Sequence, residues 1–186
     1  MRQAELIQAI LEELRGTLAH VREADISALV QRIESAERLY LAGTGRSGFM
    51  MRAFAVRLMH LGFTIYMVGE TVSPAIGARD LLILGSASGE TASLRVMAQK
   101  ARELGVPVAL ITASPGSSIA GLAELVITIP APTPKAASAH ALPSIQPMGT
   151  LFEQSLLLLS DLIVLRLMER KGTDSKAMFA RHANLE

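Results

Sequence analysis

The chain has 186 residues, 18 basic and 17 acidic side chains, a formal net charge of +1 and no cysteine. Half of the residues are hydrophobic and 19% are charged, a balance that folds around one substantial core and excludes a disordered chain. The even charge, with no Lys/Arg-rich block, gives no electrostatic footing for nucleic acid, and the missing cysteines exclude disulfides, thiolate metal sites and cysteine nucleophiles.

Two helices are expected first, at 3–15 and 23–36. The opening "MRQAELIQAILEELRG" mixes charged and apolar residues and lacks the uninterrupted apolar stretch of a signal peptide. Five apolar runs then read as strands: "RLYLAG" (38–43), "TIYMVG" (64–69), "DLLILGS" (80–86), "VPVALIT" (106–112) and "ELVITI" (124–129, ending before Pro130). They are apolar nearly throughout, the pattern of strands covered on both faces. Helix-period segments lie between them. Residues 47–61 carry Phe49, Met50, Ala53, Val56, Arg57 and Leu61; residues 91–104 carry Leu94, Met97, Ala98, Ala101 and Leu104, with Gly105 as a stop. This β-α-β alternation implies a parallel sheet with helices on both faces.

The Pro/Ala/Ser-rich stretch 130–147 is expected as a loop, followed by a long helix at 148–170 and a short one at 174–182. The most hydrophobic segment, "LFEQSLLLLSDLIVLRLME", is interrupted by Glu153, Asp161 and Arg166, which are expensive in lipid. It is expected as a core or interface helix of a soluble, cytoplasmic, oligomeric protein without a membrane span. The layout is one α/β domain over 1–186: N-terminal helices 1–37, α/β core 38–130, loop 131–147, C-terminal helices 148–182.

Ligands of parallel α/β sheets bind at the carboxyl ends of the strands. Two strand-to-helix turns there have unusual chemistry: Gly43-Thr44-Gly45-Arg46-Ser47-Gly48 and Ser86-Ala87-Ser88-Gly89-Glu90-Thr91. Each puts backbone N–H groups and hydroxyls at a helix N-terminus, where the dipole favours an anion. The glycines of the first turn also fit a dinucleotide fingerprint, and Glu70 stands about 20 residues on, where a ribose-binding acid would be. Against a dinucleotide stand the unexplained Ser86, Ser88 and Thr91, the two helices before the first strand, and the lack of length for a substrate domain. Ser88 and Thr91 also have a plainer reading, as a helix N-cap and an early helical residue. The paired hydroxyl-rich turns favour a terminal phosphate monoester.

At these residues the chain resembles the sugar isomerase (SIS) domain family, whose two phosphate loops look like "GTGRSG" and "SASGET". The likeness continues through "SIQPMGTLFEQSLLLLSDLIVLRLMERKG" and "MFARHANLE", which resemble the branch of that family acting on hexulose phosphates. The resemblance implies a three-layer α-β-α sandwich with a five-stranded parallel sheet, in a homotetramer without metal or organic cofactor. It implies reversible conversion of 3-hexulose 6-phosphate to fructose 6-phosphate, the second step of formaldehyde handling by the ribulose monophosphate pathway, and functional coupling to hexulose-phosphate synthase. By position it makes Ser47, Ser86, Ser88 and Thr91 phosphate ligands, with Gly45, Arg46, Gly89 and Glu90 in the same turns. Glu153 falls at the position of a catalytic base. The stretch "PTPKAASAHALP" has no clear counterpart.

Moving the carbonyl from C3 to C2 takes a proton from C2 and returns one to C3, and one carboxylate placed over both carbons serves both transfers. Glu153 suits that role; on spacing alone it also fits a first-turn dipole partner or a capping box from Thr150. His182 is the candidate proton donor for the carbonyl oxygens, because the resembling isomerases often take a histidine from a neighbouring subunit; by itself a terminal histidine reads as a surface residue. Arg46 pairs either with the phosphate sugar or with a nearby carboxylate, and Glu90 is an alternative base. His20, His60 and His140 have no metal-ligand spacing. Two further functions stay open: another isomerase of the family, for a phosphorylated pentose or aminohexose, and a non-catalytic sugar-phosphate sensor.

Overall fold

The computed structural model describes residues 2–134 and 141–185. Five parallel strands, β1 (Leu39–Gly43), β2 (Ile65–Met67), β3 (Leu81–Gly85), β4 (Val108–Thr112) and β5 (Leu125–Thr128), form one sheet in the order β2-β1-β3-β4-β5. Six α-helices accompany them: α1 (Gln3–Leu18), α2 (Glu23–Ser35), α3 (Gly45–His60), α4 (Ala92–Glu103), α5 (Thr150–Lys171) and α6 (Ser175–Phe179).

The uniformly apolar strands divide their side chains between two cores, as a pleat requires. Leu39, Leu41, Leu81, Ile83, Ala109, Ile111 and Ile127 face a core shared with α2, α3 and α5. Tyr40, Ala42, Leu82, Leu84, Val108 and Leu110 face a second core, closed by α4 and the 3₁₀ turn Ala120–Leu122. Helices therefore lie on both faces, as expected, but unevenly.

Helix α5 buries Leu151, Phe152, Leu156, Leu159, Ile163, Val164 and Leu167 and ends at Gly172 in the left-handed conformation. Its other side leaves Leu158, Leu162 and Leu165 exposed, while Phe49 and Val56 are exposed on α3, which packs beside it. No helix among the described residues is long and apolar enough to cross a membrane. Helix α6 is shorter than its expected range, because Asp174 caps it by accepting from the Ala177 N–H at 2.8 Å and the helix closes by Phe179. Residues 135–140 of the expected loop, His140 among them, fall outside the described residues.

Candidate active site

The order β2-β1-β3 makes the chain run to one side after β1 and to the other after β3, so the crevice between these strand ends is a topological switch point. Because α3 belongs to one core and α4 to the other, both helices point their N-termini at this crevice from opposite faces of the sheet.

Close backbone contact sets the floor. Gly43 and Gly85 are register partners at the ends of β1 and β3. A Cβ on Gly48 would lie 2.7 Å from the carbonyl oxygen of Gly43, and a Cβ on Gly85 would lie 2.7 Å from the Met51 side chain. At Gly48 the obstacle is backbone and no side chain larger than hydrogen fits, whereas at Gly85 the buried Met51 side chain would have to shift; these glycines let α3 pack down onto the strand ends and bring its first turn to the crevice.

Over this floor opens a cavity of about 290 Å³, at the lower end of small-molecule sites. Thr44, Gly45, Arg46 and Ser47 line one wall, and Gly85 to Ser88 with Thr91 line the opposite one. The third side is the start of α5, with Met148, Gly149 and Glu153, and Thr133 and Pro134 complete the rim. Ser47, Ser86 and Ser88 are all buried. Ser86 Oγ accepts from Gly89 N–H at 3.2 Å and lies 3.4 Å from Thr91 Oγ1; Ser88 Oγ accepts from Glu90 N–H at 3.2 Å. Thr91 occupies the N-cap position of α4 without a capping hydrogen bond from its side chain, and Ser88 caps no helix. Both residues line the cavity.

Glu153 is only 16% exposed, and its Oε2 lies 2.7 Å from Nε of Arg46, so the first turn and α5 are joined across the cavity by an ion pair. Of the two readings of Arg46, the structure shows the carboxylate partner. The capping box does not form: the N-cap is Gly149, Thr150 donates its hydroxyl to the Pro147 carbonyl at 2.7 Å, and Glu153 falls beyond the N3 position.

Residues 32–158 match the SIS domain family. The chain belongs to the sugar isomerase (SIS) domain family. It is similar over its whole length to the 3-hexulose-6-phosphate isomerase of Bacillus subtilis, with 46% identity over 100% of both chains. It is 36% identical to the 3-hexulose-6-phosphate isomerase of Mycobacterium gastri, over 97% of this chain and 89% of that one. Among solved structures it superposes on a Methanococcus jannaschii protein whose crystal structure infers a molecular function of 3-hexulose-6-phosphate isomerase. The TM-score is 0.85, with 32% identity over 98% of this chain and 99% of that one.

Gly45, Arg46, Ser47, Ser86, Ser88, Thr91 and Glu153, expected at the SIS site, all meet at the cavity. Gly89 and Glu90 do not line it. Gly89 has φ +62°, and a Cβ there would sit 1.9 Å from Ser117 Oγ, so its part is to let the β3–α4 turn press against the segment after β4. Glu90 turns the same way: its Oε1 accepts from Ser118 N–H at 2.6 Å. That position disfavours Glu90 as the alternative base. Glu70 forms an ion pair with Arg52 at 2.7 Å and is absent from the cavity lining.

His182 lies at the far end of α3, about 24 Å from its N-terminus at 1.5 Å per residue. Its ring stacks on His60 at 5.4 Å and on Phe179 at 5.6 Å. His60 is buried, and Arg57 donates to its Nδ1 at 3.3 Å; burial, then Arg57 and His182, holds the His60 imidazole below its usual pKa. Glu153 and His182 are thus not brought together within one chain.

Sequence reasoning did not name Thr44, Thr133, Pro134, Met148 or Gly149 as site residues. Thr133 and Pro134 lie in the stretch without a clear counterpart. Met148 has φ +58°, the one non-glycine in the left-handed region among the described residues, and no residue type announces that conformation.

The Ser118 hydrogen bonds hold the Glu90 carboxyl below the usual carboxylate range. Its contribution to stability is therefore full above that range and is lost as pH falls through the depressed value. Thermal unfolding of Glu90→Gln should show a lower midpoint than wild type at neutral pH, with the gap closing below about pH 4. A gap independent of pH counts against the carboxylate's role.

Proposed function

We propose that this protein is an isomerase that interconverts 3-hexulose 6-phosphate and fructose 6-phosphate, in the second step of the ribulose monophosphate pathway. The observation that carries the proposal is the part-buried carboxylate of Glu153 in the same cavity as two hydroxyl-bearing turns, each at a helix N-terminus. The full-length similarity to 3-hexulose-6-phosphate isomerases supports it.

Backbone N–H groups and the hydroxyls of Ser47, Ser86, Ser88 and Thr91 bind the phosphate dianion, aided by the positive ends of α3 and α4. Anchored there, the sugar carbons reach toward α5. Glu153 removes the proton from C2, giving a cis-enediolate between C2 and C3 whose charge sits on O3 until O3 gains a proton. The same carboxyl returns a proton to C3 as O2 loses its own, leaving the ketone at C2. One base above one face of the enediolate serves both steps, and no electrons leave the substrate. Arg46, bonded to Glu153 at 2.7 Å and standing in the first phosphate turn, orients the carboxylate relative to the bound phosphate.

A proton donor for O2 and O3 is assigned to His182 of a neighbouring copy, since within one chain it lies at the wrong end of α3. The exposed apolar residues Phe49, Val56, Leu158, Leu162 and Leu165 support association of copies, which we read as a homotetramer. Functional coupling to hexulose-phosphate synthase follows from the substrate.

Glu153→Gln should lower kcat by about 10²–10⁴-fold while fructose 6-phosphate still binds; retained turnover removes Glu153 as the base. Ser47→Ala and Ser88→Ala should each weaken fructose 6-phosphate binding by about 1–3 kcal/mol, read by calorimetry. An unchanged affinity takes that hydroxyl out of the phosphate site. Mixing inactive Glu153→Gln with inactive His182→Ala and letting copies exchange should restore part of the activity, because a mixed assembly holds intact sites. Absence of recovery in mixed assemblies overturns the assignment of His182 to a neighbouring copy's site.

A further inference from the structure

Helix α1 fully buries Thr17 alone and packs Leu14 and Leu18 against the edge of the core, while Leu6, Ile7 and Leu11 are exposed. It nevertheless sends one side chain to the segment that leads into the active-site helix. Glu13 Oε1 accepts from Ile145 N–H at 2.6 Å, and Oε2 accepts from Ser144 Oγ at 2.8 Å and from Gln146 Nε2 at 3.0 Å. Three consecutive residues thus converge on one carboxylate more than 130 positions earlier in the chain. Burial opposes the charge, yet the bonds from Ile145, Gln146 and Ser144 together hold this carboxyl below the usual range.

A short relay of hydrogen bonds connects these three residues to the start of α5. Gln146 N–H also donates to Ser144 Oγ at 3.0 Å. Pro147, whose φ is fixed by its ring, accepts at its carbonyl from both the N–H and the hydroxyl of Thr150. Gly149 accepts from Glu153 N–H at 3.0 Å. Between them stands Met148 in the left-handed conformation, lining the cavity and 74% exposed. A non-glycine residue is kept in that region only when its surroundings over-determine it. Met148 has no burial to hold it, so the hold comes from the anchored segment on one side and the first turn of α5 on the other.

We propose that Glu13 is a positioning residue for the active-site carboxylate: by clamping residues 144–146 it fixes Met148, Gly149 and the entry angle of α5, and so the place of Glu153 in the cavity. The assignment rests on the reading of Glu153 as the base. It gives α1 a function beyond its packing of Leu14 and Leu18 against the core. A carboxylate suits the clamp, because its two oxygens take all three donors as they stand, whereas a carboxamide would require the Ser144 hydroxyl and the Gln146 amide to turn round and accept.

The test compares Glu13→Gln with wild type in three measurements: steady-state isomerisation of fructose 6-phosphate, affinity for inorganic phosphate, and amide hydrogen exchange. The expected result is a kcat about 10–100-fold lower, of the order a small misplacement of a catalytic group produces. The Kd for inorganic phosphate should stay within about twofold, since the phosphate turns lie on other elements. Exchange should quicken at residues 145–153 while the strand amides keep their protection. Ser144→Ala, which removes one donor and leaves Glu13 in place, should shift kcat in the same direction by less, and keeps the question answerable if Glu13→Gln folds poorly. A wild-type kcat in both variants overturns the proposal, as does a loss of kcat matched by loss of phosphate affinity and of protection throughout the sheet. Parallel assays of wild type and Glu153→Gln separate the two levels. An inactive wild type or a fully active Glu153→Gln overturns the functional reading and this assignment with it. A wild-type kcat in both Glu13→Gln and Ser144→Ala, beside an inactive Glu153→Gln, overturns the role of Glu13 alone.

Discussion

The approach of α3 to the ends of β1 and β3 is the constraint on which the site depends. A helix backbone rests against a strand backbone at Gly43 and Gly48, where a methyl group would come within 2.7 Å of a carbonyl oxygen. Because nothing but hydrogen stands between them, the first turn of α3 reaches the crevice rather than riding above it. The helix N-terminus then presents its unpaired N–H groups to whatever enters. The strand order adds the second half: reversal between β1 and β3 brings the N-terminus of α4 to the same crevice from the other face.

The remaining wall is of another kind. It comes from α5, far along the chain, and is joined to the first turn by the Arg46–Glu153 ion pair across the cavity. An exposed pair of this type would add little stability. Here Glu153 is mostly covered, and the geometric consequence is larger than the energetic one: the group that holds the carboxylate stands in one of the two hydroxyl-bearing turns of the cavity. Any shift of the first turn is therefore passed to the Glu153 carboxylate. The Glu13 clamp restrains the same carboxylate from the opposite direction, through the backbone that enters α5.

The strands were legible as apolar runs between turn residues, and each falls within its expected range. Burial on both faces suppresses the alternation that would mark a one-sided sheet, and that uniformity is itself the sign of a parallel sheet. The two cavity-lining turns were legible for a similar reason, since glycines and hydroxyls crowded at a strand end have few other uses. Glu90 and Gly89 were less so. They sit in the right turn, but the side chain of Glu90 points to the amide of Ser118, a residue of a different strand-end loop. The spacing of Thr150 and Glu153 suggested a capping box, whereas the positive φ of Met148 moves the helix start so that Gly149 is the cap. His182 stacks against His60, a contact between residues 122 positions apart that no local pattern foretells.

By itself the sequence determined what is local: helix and strand periods, the glycines that permit close packing, the hydroxyls at the strand ends, and the family. Local signals suffice there because backbone conformation and burial are set within a few residues of each position. Only the tertiary structure decided which side chains share the cavity, that Arg46 holds Glu153, that Glu90 and His182 face elsewhere, and that Glu13 reaches the entry to α5. Those relations depend on how elements distant in the chain lie against one another. Side-chain direction is fixed by the partners available after packing, and a pattern of residue types does not contain them.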